Sequence, residues 1–326
     1  MEEKRKLDIK QFLQGHVNDI ASYGGLLFCI IVFTIVPPIF GESIWSQAKL
    51  ANIISNVIVT ALLSVGAVFV YSLGNMDISI GAQIRVYAML IVLLGNTTGS
   101  LLPGILISLV IAVVIAIVNG GAGQVLKVHP IIPSLVFMMI LQGVSSIAYA
   151  KIGSRNITLR SVDFSAFKST GLMVAVLIVE TIVVSYLFYY TKYGKSARAI
   201  GANGVAAEQS GINLLKFKVI SYVIMGVMVV VAAIFQMGYT GSASDSTGTG
   251  FEMNVMIALI LGGMPLSGGM RSKVSCAVIG SFTYSILAVG LPLIGVPTNM
   301  TFLVKSVIFI VVVLFTCRKE NGVLPR

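Results

Sequence analysis

From Leu50 to Leu73 the chain reads LANIISNVIVTALLSVGAVFVYSL, and it continues Gly74-Asn75-Met76-Asp77-Ile78-Ser79-Ile80-Gly81. The first part is an uncharged apolar run long enough to cross a bilayer, which takes about 20 residues of helix. The second part interrupts the pattern with glycine, asparagine and an aspartate. Glycine frees backbone groups from the helix ladder, and at membrane depth such groups persist only when buried in protein or facing a wet cavity. The stretch therefore predicts an all-α integral membrane protein with broken or re-entrant helices.

Composition agrees. Of the 326 residues 56% are hydrophobic and 10% charged, whereas a soluble domain carries about 25% charged residues to wet its surface. Apolar runs lie around 23–40, 50–73, 80–95, 100–118, 131–150, 171–190, 218–238, 253–264, 274–291 and 300–316. That makes ten segments, the eighth too short to span alone. With both termini in the cytoplasm and alternating crossings, 16 of the 22 Lys and Arg fall on the cytoplasmic side and 6 on the other, as the positive-inside rule expects. The net charge of +10 follows from this topology, so no nucleic-acid partner is implied. The reading places the chain as a multi-pass protein of the cell (plasma or inner) membrane. It divides into a cytoplasmic segment 1–22, one transmembrane domain 23–316 with a cytoplasmic loop 191–217, and a cytoplasmic tail 317–326. Cys29, Cys276 and Cys317 are far apart in or beside apolar runs, which suits packing and offers no metal spacing or disulfide framework.

A second break, Leu261-Gly262-Gly263-Met264-Pro265-Leu266-Ser267-Gly268-Gly269, shares Leu, Gly, Met, Ser and Gly with the segment 73–81 at matching positions. Discontinuous helices of this kind mark transport pathways. Asp77 needs a partner or water, because a carboxylate at the bilayer centre costs about 2.5–3.5 kcal/mol on insertion scales. Arg85, eight residues on, could supply it across a little over two helical turns. Asp77 could also cap a helix beginning at Ile78. Glu180 lies deeper within its run, with its role open.

The loop from Thr191 to Asn213 predicts two short helices, Ser196 to Ile200 and Val205 to Ser210, the second ended by Gly211. Such a pair could dock in a partner's groove. Gly194-Lys195-Ser196 matches the end of a phosphate-binding loop, but Tyr189 stands where that motif requires glycine. Any ATP-driven step would therefore need an ATPase on another chain.

Taken in order, these segments resemble the permease subunits of the ribose/xylose/autoinducer-2 class of ABC importers. Gly74 to Gly81 is similar to that family's Gly-Gly-x-Asp-Leu-Ser-x-Gly. Gly194 to Ile212 resembles its Gly-[Lys/Arg]…Ala-Ile-Gly-x-Asn-x-x-Ala-Ala-x-x-Ser-Gly-Ile signature. Gly250-Phe251-Glu252-Met253-Asn254 through Leu261-Gly262-Gly263 to Ser267-Gly268-Gly269 resembles a third block, and Asn119-Gly120 with Pro130-Ile131-Ile132 a fourth. Asn75 replaces a usual Gly, and Met270-Arg271 a glycine-rich continuation. The resemblance implies a translocation path for a sugar or sugar-like solute near Asn75, Asp77, Ser79, Glu252, Asn254, Gly262, Gly263 and Ser267. It also implies an ATPase-coupling loop containing Lys195, Arg198, Ala199, Gly201, Asn203, Ala206, Ala207, Glu208, Ser210 and Gly211. Further implications are a second permease chain, identical or related, ATPase subunits carrying the ATP, an extracytoplasmic solute-binding protein, and no cofactor on this chain. An ion- or proton-coupled transporter using Asp77 or Glu180, without an ATPase, is the alternative.

Overall fold

A computed structural model describes residues 22–316; the two terminal segments and Cys317 lie outside them. Eight described helices are long and apolar enough to cross a membrane. They are α1 (Ser22–Ile39), α2 (Gln47–Ser72), α3 (Ile80–Thr98), α4 (Leu102–Val125), α5 (Ile131–Ile152), α6 (Thr170–Tyr190), α9 (Leu214–Thr240) and α11 (Val274–Leu293). Between α6 and α9 lie α7 (Lys192–Ala202) and α8 (Gly204–Gln209), and α12 (Thr298–Thr316) follows α11. The segment expected at 253–264 is α10 (Phe251–Leu261), an 11-residue helix that rises about 16 Å at 1.5 Å per residue, half the hydrocarbon thickness.

The helices sort by how much of them the protein covers. In α2, 78% of the most apolar window is buried inside the protein, against 22% in α5. Helix α2 is thus the central post, packed by α6, α9, α10 and α11, while α5 presents Val136, Met139, Ile140 and Val144 outward. Outward apolar side chains are what a lipid-facing helix requires.

Two features depart from the sequence expectation. The all-α reading left out β1 (Asn156–Thr158) and β2 (Ser242–Ser244), which pair antiparallel with Ile157 opposite Ala243. Three-residue strands are too short for an alternation to register, and distant loops supply the pairing. Helix α4 runs to Val125 rather than stopping near residue 118. The apolar run ends at Asn119-Gly120-Gly121, yet a Cβ on Gly120 would meet the Tyr222 ring at 3.0 Å and Val219 Cα at 3.1 Å. The glycine lets α4 and α9 approach closely, and that packing outweighs its poor helix propensity.

In the loop 191–217, three residues partition the chain into helices. Thr191 Oγ1 accepts from Tyr193 N at 3.3 Å, Asn203 Oδ1 from Ala206 N at 3.0 Å and Asn213 Oδ1 from Lys216 N at 2.9 Å. Each caps the start of the next helix. The first short helix is longer than the expected Ser196–Ile200, because the Thr191 cap starts it immediately after α6. Gly211, at φ +83°, follows α8 as anticipated.

Replacing Gly120 with Leu should lower the thermal midpoint of the detergent-purified protein, consistent with an overpacking cost of about 1–3 kcal/mol. Gly143 lies inside α5 with no heavy atom within 4 Å of a built Cβ. Gly143→Ala, by contrast, should leave the midpoint unchanged or raise it, since alanine restricts the unfolded chain.

Candidate translocation and coupling site

The first break begins where α2 ends at Ser72. Gly74, at φ +74°, allows Gly74 N to donate to Tyr71 O and Asn75 N to Val70 O, a left-handed closure that satisfies the last carbonyls of the helix. The chain then leaves helical geometry until Ile80. Within this gap Asp77 Oδ1 accepts from Ser79 N at 2.8 Å and from Ser79 Oγ at 2.5 Å. Asp77 Oδ2 accepts from Asn119 Nδ2 at 3.1 Å and, at longer range, from Gln83 Nε2 at 3.5 Å. Gln83 also donates to Ser79 Oγ at 2.8 Å, and its Oε1 accepts from Tyr87 OH at 3.0 Å. Asn75, Asp77, Ser79, Gln83 and Asn119 are all buried. The result is a polar network tying the break to α3 and α4.

This corrects two expectations. Arg85 does not face Asp77; its Nη1 lies 3.4 Å from Asp245 Oδ1 and its Nη2 donates to Thr249 Oγ1 at 3.1 Å. Residues 77–79 are not helical, so the eight-residue spacing does not span two turns. Arg85 is also roughly 200° around α3 from Gln83. Helix α3 starts at Ile80 rather than Ile78, and the Asp77 carboxylate holds the backbone two residues on in an Asx-type turn. The network includes Asn119 and Gln83, which sequence reading did not select as site residues. Their signal was a polar residue on a mainly apolar helix.

The second break closes in the same way. Gly263, at φ +85°, donates to Ile260 O, and Met264 N donates to Leu259 O. The left-handed glycine is the second residue of the first nine-residue segment and the third of the other, so the shared sequence pattern and shared backbone pattern are offset by one. Gly269 N donates to Ser72 O at 2.8 Å, joining the two breaks directly. A Cβ on Gly74 would lie 2.7 Å from Ser267 O. One on Gly268 would collide with main-chain atoms of Tyr71, Ser72 and Gly74. Helix α7 completes the junction: a Cβ on Gly201 would collide with Ser72 O and lie 2.7 Å from Gly269 N. Three backbones therefore meet with no side chain between them.

The remaining expected residues are spread around this junction. Glu252 faces the start of α3, close enough that a Cβ on Gly81 would collide with its Oε2. Asn254 turns elsewhere, its Oδ1 accepting from Tyr284 OH at 2.5 Å. Arg198 lies over the rings of Phe188 and Tyr189, 5.2 and 5.7 Å from their centroids, fastening α7 to α6. Ala207 is buried and Ala199 half-buried, whereas Lys195, Asn203, Ala206, Glu208, Ser210 and Gly211 are exposed. Glu180 is buried on α6, and both carboxylate oxygens lack a hydrogen-bond partner among the described residues.

Asn119→Leu strands Asp77 Oδ2 on the 3.5 Å Gln83 contact. The protein should lose about 1–3 kcal/mol of stability, read as a lower thermal midpoint. The same change in an Asp77→Asn background should cost less, since no carboxylate is left stranded, and a double-mutant cycle measures the coupling.

Comparison with known proteins places this geometry in context. The profile of the family described as "Branched-chain amino acid transport system / permease component" matches residues 49–313. The chain is 27% identical to the ribose import permease protein of Escherichia coli strain K12, covering 95% of this chain and 97% of that one. It is 26% identical to the galactofuranose transporter permease protein of the same strain, over 89% and 86% of the two chains. The galactose/methyl galactoside import permease protein of Salmonella typhimurium is 26% identical, over 88% and 91%. No solved structure matches the chain. With the profile covering nearly all the apolar helices and both breaks, this chain belongs to the permease-component family and is a multi-pass membrane transport subunit rather than an enzyme.

Proposed function

We propose that this chain forms half of the membrane path of an ABC importer that carries a sugar or sugar-like solute. The observation that supports this most is the backbone junction of Gly201, Ser72 and Gly269, where the α7–α8 loop touches both helix breaks. An ATPase docked on the exposed face of α7 and α8, through Lys195, Asn203, Ala206, Glu208 and Ser210, would push on α7. Val205, 67% exposed, supplies the apolar centre of that face. Without side chains at the junction to absorb the displacement, it would pass to Ser72 and Gly269 and shift both breaks together.

In this reading ten crossings place both termini in the cytoplasm of a cell-membrane protein, the eighth made by α10 together with the broken chain that follows it. The domain division is 1–22, 23–316 and 317–326. A second permease chain completes the path, an extracytoplasmic binding protein delivers the solute, and ATP is held by the partner ATPases. The path passes Asn75, Asp77, Ser79, Gly262, Gly263, Ser267, Glu252 and Asn254, whose amides, hydroxyl and carboxyl groups and freed main chain can replace the hydration of a hydroxyl-rich solute. The family description names amino acids, but the relatives named for ribose, galactofuranose and galactose align over most of their lengths and support a sugar. Membership of this family weighs against a gradient-driven carrier, as does the full set of hydrogen-bond donors around Asp77.

Gentle purification of the tagged chain from its own membrane should yield a stoichiometric ATPase subunit, identified by mass spectrometry. Glu208→Lys should release that subunit, and Gly201→Val should abolish solute uptake while membrane insertion stays normal. A chain that purifies alone and accumulates solute only while an ion gradient is maintained would overturn the proposal.

A further inference from the structure

A second polar cluster lies on the far side of the Asp77 network from α7. Arg85 projects from α3, five residues past the start of the helix. Its Nη1 lies 3.4 Å from Asp245 Oδ1, and its Nη2 donates to Thr249 Oγ1 at 3.1 Å. Ser146 on α5 donates to the same Asp245 Oδ1 at 3.4 Å. Side chains from two separate helices, α3 and α5, therefore converge on one carboxylate of the turn between β2 and α10. Ser146 and Thr249 are exposed and the Asp245 side chain is 37% exposed, so the cluster opens to the surface of the protomer.

Two donors in this cluster are unused. Among the described residues Arg85 Nε and Tyr149 OH are both buried without a hydrogen-bond partner, and Tyr149 is 2% exposed. The Tyr149 phenol lies within electrostatic reach of both Asp245 and Arg85. A buried donor left unsatisfied is costly, so two beside one open cluster point to an oxygen-bearing ligand. The charged contact is also slack: 3.4 Å is long for an ammonium- or guanidinium-type N–O pair, which closes to about 2.7–2.9 Å when the two groups have only each other. A guanidinium and a carboxylate at this spacing, flanked by Ser, Thr and Tyr hydroxyls, can bracket adjacent hydroxyl groups, with donors on one side and an acceptor on the other. Glu252 also lies within reach of Arg85, so one cation faces two carboxylates. That balance disfavours anionic solutes.

From this we infer that Arg85, Asp245, Thr249, Ser146 and Tyr149 form a binding station for neutral polyols, contacted by the solute before it reaches the breaks. The inference rests on the reading of the chain as a sugar permease and adds a site and a selectivity to it. Tyr149→Phe is the discriminating change. The hydroxyl has no partner among the described residues, so its removal breaks no hydrogen bond seen there, and a purely structural tyrosine would tolerate it.

The test uses the complete complex, with its ATPases and binding protein, in proteoliposomes supplied with labelled D-ribose or D-galactose. Tyr149→Phe and Thr249→Val should each raise the KM of uptake about 5- to 10-fold, the loss of one hydrogen bond of about 1–1.5 kcal/mol. For Tyr149→Phe the thermal midpoint and maximal ATP hydrolysis should be unchanged; Thr249→Val also removes the acceptor of Arg85 Nη2 and should lower the midpoint. Unlabelled D-ribose should compete and D-ribose 5-phosphate should not. Wild-type KM values in both variants would overturn the station while leaving the sugar-permease reading intact. A wild-type complex that takes up neither sugar would overturn that reading, and the station with it.

Discussion

The hydrogen bond from Gly269 N to Ser72 O, 2.8 Å long, is the contact on which the rest of the molecule turns. In a bilayer, backbone groups cannot be left to water, and each unsatisfied one costs several kcal/mol. A chain that interrupts two of its helices has to satisfy the freed groups within itself. Here the ends of α2 and α10 close by the same left-handed glycine device, and the bond from Gly269 N gives the Ser72 carbonyl a partner from the other break. Because this bond joins residues nearly two hundred positions apart, it also fixes how α2, α10 and α11 sit together.

The same closeness governs what α7 can do. A short surface helix would ordinarily rest on the domain through side chains, which can yield. Gly201 instead brings its main chain against Ser72 and Gly269, while Arg198 lies against the aromatic pair Phe188 and Tyr189 at the end of α6. Tyr189 OH in turn accepts from Val274 N at 3.0 Å, linking α6 to the start of α11. Helix α7 thus meets the domain through both a rigid backbone contact and a network of rings.

Three carboxylates of the helix bundle and its turns, Asp77, Asp245 and Glu180, are held differently from one another. Asp77 is surrounded by donors from its own break, from α3 and from α4, so its position is specified by geometry as much as by burial. Asp245 shares a looser, open arrangement with Arg85. Glu180 has neither arrangement among the described residues. Ionisable groups inside a membrane are expensive and tend to be functional, and these three occupy separate places: Asp77 at the first break, Asp245 in the turn between β2 and α10, and Glu180 on α6.

Much of this was legible in the sequence because the bilayer imposes a one-dimensional rule. Uncharged runs of sufficient length had to be helices and Gly74 and Gly262-Gly263 had to interrupt them, whereas the caps that Thr191, Asn203 and Asn213 supply are seen only in the folded loop. The motifs of the loop 191–217 and of both breaks could likewise be read in order along the chain. Which groups meet was not legible. Asp77 takes Asn119 rather than Arg85 because α4 continues through Gly120 and packs on α9, a consequence of side-chain volume between distant helices. The β1–β2 pair and the Arg85–Asp245 contact likewise join residues far apart in the sequence. Periodicity and local spacing report how a segment relates to its solvent; only tertiary packing decides which segment satisfies another's hydrogen bonds.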